Sequence, residues 1–93
     1  MDGVAGAISW KLEGDTIDLH RLVVDPGHFR RGVGAALVRA ALAAEPTARR
    51  AIVQTGAANA PAAALYLQEG FTRAGEAEPV PGLRVARFTK RLR

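Results

Sequence analysis

At 93 residues with 48% hydrophobic content, the chain makes one domain in which burying enough core is a real constraint, and no apolar run nears the ~18 residues of a membrane span. It has no cysteine, which excludes a disulfide framework, a thiolate metal site and a thiol nucleophile, and its 2 histidines cannot hold zinc without carboxylate help, so no metal site is expected. Lys+Arg 13 against Asp+Glu 9 gives net +4, which suits a ligand carrying several phosphates; nucleic acid is not the expected ligand, because aromatics at 5% offer no stacking platform.

Val4 to Lys11 alternates, with Val4, Gly6, Ile8 and Trp10 on one face and Ala5, Ala7, Ser9 and Lys11 on the other, which predicts a strand. Glu13-Gly14-Asp15 reads as a turn, and Thr16 to Val24 as the second strand of a hairpin. In a regular strand Asp18, His20 and Leu22 share one side, and Ile17, Leu19, Arg21 and Val23 the other; a bulge would shift this register. Gly34 to Ala44 is a helix, with Leu37, Val38, Ala41, Leu42 and Ala44 as its apolar stripe and Glu45-Pro46 as its stop. Ala51 to Thr55 is a buried central strand. Asn59 is the N-cap of a second helix, with Pro61 in its first turn, an end near Glu69 and Gly70 as its C-terminal glycine. Phe71 to about Glu76 is the fourth strand, Pro79 to Gly82 a turn, and Leu83 to Leu92 the last strand. The order β-β-α-β-α-β-β predicts an α/β fold with both helices packed on a mixed sheet, its second and third strands parallel through the first helix.

Leu22 to Val38 carries the first chemical signal. A strand ends at Asp25-Pro26-Gly27, a basic glycine-bearing loop follows, and an apolar helix opens directly from it. That geometry aims several unpaired backbone N–H groups at one anion. Gly32 and Gly34 let a phosphate approach the main chain, and Arg30 and Arg31 add positive charge. The segment lacks the Gly-Lys-Ser/Thr ending of a Walker loop, and Leu37 stands where a dinucleotide fingerprint needs its third glycine. A pyrophosphate cradle and a plain glycine-assisted corner are both open on this segment alone.

Asn59-Ala-Pro-Ala-Ala-Ala-Leu-Tyr-Leu-Gln-Glu-Gly-Phe71 is the second informative stretch. It resembles the Asn…Ala…Leu-Tyr…Gly-Phe signature of the GNAT N-acetyltransferase superfamily, and the preceding Leu-x-Val-x-Pro…Arg-Arg-Gly-Val-Gly-x-x-Leu pattern resembles that family's acetyl-CoA loop. The two stretches together span Leu22 to Phe71 in the family's order and spacing.

The resemblance implies a single GNAT-like acetyltransferase domain over residues 1–93, with acetyl-CoA as co-substrate and an amine as acceptor. Main-chain groups of Val23 and Val24 would bond the pantetheine arm in a gap where the second strand splays from the third. N–H groups of Arg30, Arg31, Gly32, Val33, Gly34 and Ala35 would hold the pyrophosphate. Asn59 would contact the pantetheine region, and Tyr66 would protonate the departing thiolate. The amine would attack the thioester directly in a ternary complex, with the oxyanion held by a strand amide near Val24. Phe29 departs from the Gln or Arg that often precedes the Gly-x-Gly pair, whereas Arg31-Gly32-Val33-Gly34-Ala35-Ala36 restores an Arg-x-x-Gly-x-Ala pattern, so two loop registers stay open.

His20 and Asp18 are the titratable residues of the second strand that could take a proton from an amine, histidine being the side chain that changes charge near neutral pH. Each can equally be a solvent-facing strand residue. A non-catalytic acyl-CoA-binding or regulatory module is the alternative function. Against the family pattern the chain begins at the turn before the third strand, as a minimal member or a fragment. The exposed sheet edge that results predicts a homodimer. No basic-then-apolar leader opens the chain, and a cytoplasmic location is expected. Arg49-Arg50 reads as a solvated loop pair, and Trp10 as core or interface.

Overall fold

The computed structural model describes residues 6–25 and 32–93. They form β1 (Gly6–Glu13), β2 (Thr16–Val24), α1 (Val33–Ala43), β3 (Arg50–Gly56), α2 (Ala60–Gln68), β4 (Thr72–Val80) and β5 (Leu83–Arg91), in the order read from the sequence. The strands make one mixed sheet, β1-β2-β3-β5-β4. β2 and β3 are parallel, joined through α1, and the other neighbouring pairs are antiparallel.

Two short turns fix the hairpins. Gly14-Asp15 lies between the partners Glu13 and Thr16, with Gly14 at φ 60, and Pro81-Gly82 lies between Val80 and Leu83, with Gly82 at φ 85. The second turn is therefore two residues rather than Pro79 to Gly82, and β4 runs on to Val80 instead of ending near Glu76. Two irregularities let it do so, between Arg73 and Gly75 and between Ala77 and Val80. Pro79 is tolerated because β4 is a sheet edge, where a missing N–H need not cost a ladder bond.

Both helices cover one face of the sheet. Ile17, Leu19, Ala51, Val53, Ala86 and Phe88 turn toward Val38 and Ala41 of α1 and Tyr66 of α2, all buried. Of the expected α1 stripe, Ala44 falls outside, as an exposed C-cap residue. The helices are braced to each other: Arg39 donates to both carboxylate oxygens of Glu69 at 2.7 and 3.0 Å, and that pairing raises the Arg39 guanidinium above its ordinary value. Lys90 Nζ donates to the Glu69 carbonyl at 2.7 Å. On the opposite face, which carries Asp18, Ile52, Gln54, Arg87 and Thr89, no described element packs.

The regular alternation expected of β2 breaks at His20. Ser9 pairs with Arg21 and Trp10 with Leu19, so His20 has no partner across β1 and forms a bulge. Ile17 and Leu19 face the core before it, and Leu22 packs against the core after it, so Leu22 lies on their side and not with Asp18 and His20. Val23, on the other phase, is half exposed.

Candidate active site

The bulge coincides with a parting of strands. The β2–β3 ladder runs from Thr16↔Arg50 to Leu19↔Val53 and ends, although β2 continues to Val24 and β3 to Gly56. β3 keeps its bonds to β5 as far as Gly56↔Val85, and β2 keeps its own to β1 as far as Gly6↔Val24. The bulge bends β2 and raises its local twist, which carries its second half away from β3. Beyond Leu19 the edge of β2 that faces β3 has no ladder bonds. Val23 and Val24 lie on that free edge.

α1 starts beside the gap. Its N-cap is Gly32, at φ 75, and among the described residues no side chain caps it. The first intrahelical bond is Ala36 N–H to Gly32 carbonyl at 2.9 Å, and the N–H groups of Val33, Gly34 and Ala35 have no protein acceptor among the described residues. α2 differs: Asn59 Oδ1 accepts from Ala62 N–H at 3.1 Å. The N-cap glycine and the glycine of the first helical turn serve different ends. Among the described residues a Cβ on Gly32 would meet nothing within 4 Å, which leaves open approach to the main chain, and the left-handed φ there favours glycine. A Cβ on Gly34 would sit 3.1 Å from Leu65 Cδ2, so this glycine lets α1 lie against α2. Arg30 and Arg31 lie outside the described residues.

Tyr66 follows Leu65 on α2. The helix ends in a Schellman motif, with Phe71 N–H bonded to the Tyr66 carbonyl at 2.9 Å, Gly70 N–H to the Leu67 carbonyl at 3.1 Å, and Gly70 at φ 91. The apolar contact that accompanies such a motif is the Tyr66–Phe71 ring pair, edge-on at 5.5 Å. This accounts locally for the Leu-Tyr…Gly-Phe spacing. The second neighbour of the Tyr66 ring is Phe88 at 5.8 Å, the cross-strand partner of Val53, where the gap begins. Tyr66 is 4% exposed, and its hydroxyl has no hydrogen bond to protein among the described residues. Burial raises its phenol above the ordinary value, so it stays protonated at neutral pH.

Asp18 and His20 stand on the other face, with His20 Nε2 3.3 Å from Asp18 Oδ2 and side chains 31% exposed for Asp18 and 49% for His20. The fold thus brings the main chain of Val23 and Val24 together with Val33, Gly34 and Ala35 at the gap, sets Tyr66 on the helix side of the sheet against Phe88 where the gap begins, and puts Asp18 and His20 across the sheet from Tyr66. Asn59 is an N-cap whose carbonyl oxygen is already engaged, which leaves its amide group for any ligand. Gln54 and Arg87, cross-strand partners on the open face just beyond the last β2–β3 pair, have no local signal in the sequence, and neither has the Arg39–Glu69 brace, whose partners lie thirty residues apart.

Residues 1–73 match the acetyltransferase (GNAT) domain family, a span that contains both stretches from Leu22 to Phe71. Over 83 residues the chain is 35% identical to the UPF0157 protein YqkA of Bacillus subtilis (strain 168), covering 89% of this chain and 24% of that protein. A nourseothricin acetyltransferase superposes with a TM-score of 0.82 at 26% identity, over 94% of this chain and 57% of the other. A Bacillus subtilis acetyltransferase solved in complex with CoA gives a TM-score of 0.82 at 20% identity, over 99% and 72%, a likeness of fold. The chain therefore spans 24% of the length of its curated relative and 57% of the first solved one. On the family match and the shared architecture, this chain belongs to the GNAT acetyltransferase family.

Proposed function

We propose that residues 1–93 form one acetyltransferase domain, in the cytoplasm, that moves an acetyl group from acetyl-CoA to an amine. The observation that carries the reading is the set of open N–H groups at Val33, Gly34 and Ala35, at the mouth of the β2–β3 gap and one helix away from a buried, protonated Tyr66. Those amides, with Gly32 and the adjoining Arg30 and Arg31, bind the pyrophosphate. The free edge of β2 at Val23 and Val24 takes the pantetheine amides as a short added strand would be taken. The Asn59 side-chain amide adds a donor nearby.

Bound acetyl-CoA supplies an activated acyl group and a thiolate leaving group. A strand N–H near Val24 stabilises the negative charge that grows on the acyl oxygen during direct attack by the amine in a ternary complex. Tyr66 gives its proton to the departing sulfur, a transfer suited to a phenol that burial keeps protonated. His20, oriented by Asp18, takes the proton of the amine on the open face.

The test is titration with CoA, followed by thiol release from acetyl-CoA against a panel of amines. The chain has no cysteine, so a thiol reagent reads the reaction without protein background. Absence of CoA binding refutes the reading. Binding without turnover on any amine would favour the second reading, a non-catalytic acyl-CoA-binding or regulatory module. The open face beside Asp18 and His20, with no described element to wall in an acceptor, favours that reading. The exposed edges β1 and β4 support a homodimer, and a monomeric mass by light scattering at micromolar concentration would count against it.

A further inference from the structure

We infer that the end of the open sheet face remote from the gap is a second anion site, built for the phosphate group of a small phosphorylated ligand. Arg50 and Arg91 are direct cross-strand partners in the β3–β5 ladder, an arrangement in which like charges repel. Among the described residues neither has an ion pair or side-chain hydrogen bond, and nor has Arg49. Next to them Thr72 and Thr89 face each other across β4 and β5, which sets two hydroxyls beside the two guanidinium groups. All of these line one depression of about 570 Å³, together with Arg93 and Asp15. Asp15 brings the one acidic side chain of the lining, against four arginines, and its carboxylate accepts from Thr16 Oγ1 at 3.4 Å.

The backbone beneath is held from three sides. The Asp15 carbonyl accepts from Arg49 N–H at 2.7 Å and Arg50 N–H at 3.3 Å, Leu92 N–H donates to the Arg49 carbonyl at 2.8 Å, and Arg93 donates to the Ala48 carbonyl at 2.7 Å. The arginines thus project from a fixed frame. A tetrahedral dianion fits this set: guanidinium forks and hydroxyls are its ordinary donors, and it cancels the repulsion between Arg50 and Arg91. A nucleic-acid strand fits less well, because the lining holds no aromatic side chain on which a base could stack. The site lies at the end of β3 opposite the gap, so its ligand and acetyl-CoA can be bound together.

The experiment is an amide-resolved NMR titration with inorganic phosphate, with ionic strength held constant by chloride, repeated with a sugar phosphate and with a single-stranded oligonucleotide. Saturable shifts at Arg50, Thr72 and Thr89 with phosphate and the sugar phosphate are expected. Arg91→Gln and, separately, Arg50→Gln should each weaken them about tenfold, the loss of one charge-assisted contact. Arg84→Gln, at a guanidinium outside the depression, should leave them intact. Arg91→Gln should melt no lower than the parent at low salt, since it relieves repulsion. The inference is overturned by phosphate shifts no larger than those of chloride, by shifts confined to Gly32–Ala35, by insensitivity to both arginine variants, or by binding of the oligonucleotide alone.

Discussion

Replacing Tyr66 by Phe separates a catalytic hydroxyl from a structural one, because the two roles predict opposite changes in stability. The ring is 4% exposed and packs edge-on against Phe71 and beside Phe88, contacts that phenylalanine keeps. The residue is buried and its hydroxyl has no protein hydrogen bond among the described residues, so the solvation the hydroxyl loses on folding is not replaced by protein. Burying such a group costs about 1–3 kcal/mol in protein substitution data. Tyr66→Phe should therefore stabilise by about 1 kcal/mol, a rise in Tm of about 4–8 °C for a domain of this size. The same change removes the proton donor, and turnover should fall by about 10²-fold or more with little change in affinity for acetyl-CoA. Thermal denaturation and thiol-release kinetics on one preparation test both halves. A variant that loses stability, or turns over at the parental rate, refutes the assignment.

Tyr66 is the sole tyrosine, so absorbance of the phenolate reports it alone. Burial raises its folded value, so stability is full below the unfolded phenol's range near pH 10 and is lost as pH rises through the folded value; a native titration midpoint at or below that of the denatured chain would contradict this. Gly32→Ala should cost about 1 kcal/mol in urea denaturation, because no described residue crowds a Cβ there and the left-handed backbone sets the penalty. Phe88→Ala, at 1% exposure under the gap, should cost about 3–5 kcal/mol. Deleting His20 restores regular alternation, with Leu19 and Leu22 still inward; the protein should stay folded by circular dichroism while CoA binding weakens by about tenfold or more as β2 straightens toward β3.

The sequence by itself determined what depends on neighbours along the chain. Element order, the Gly14-Asp15 turn, the Asn59 cap and the Gly70 stop were all legible there, because caps and turns are local chemistry in which backbone N–H and carbonyl groups find partners a few residues away. The spacing of Tyr66 to Gly70 to Phe71 belongs to the same class, as one helix ending. What only the tertiary structure decided is where separated segments meet or fail to meet. The bulge at His20 depends on pairing with Ser9 and Trp10, the end of the β2–β3 ladder at Leu19 on that bulge, and the Arg39–Glu69 brace on two helices lying side by side. Nor could hydrophobic pattern alone foresee that Arg50 would face Arg91, since it fixes which side of a strand a residue takes and not which strand becomes its neighbour.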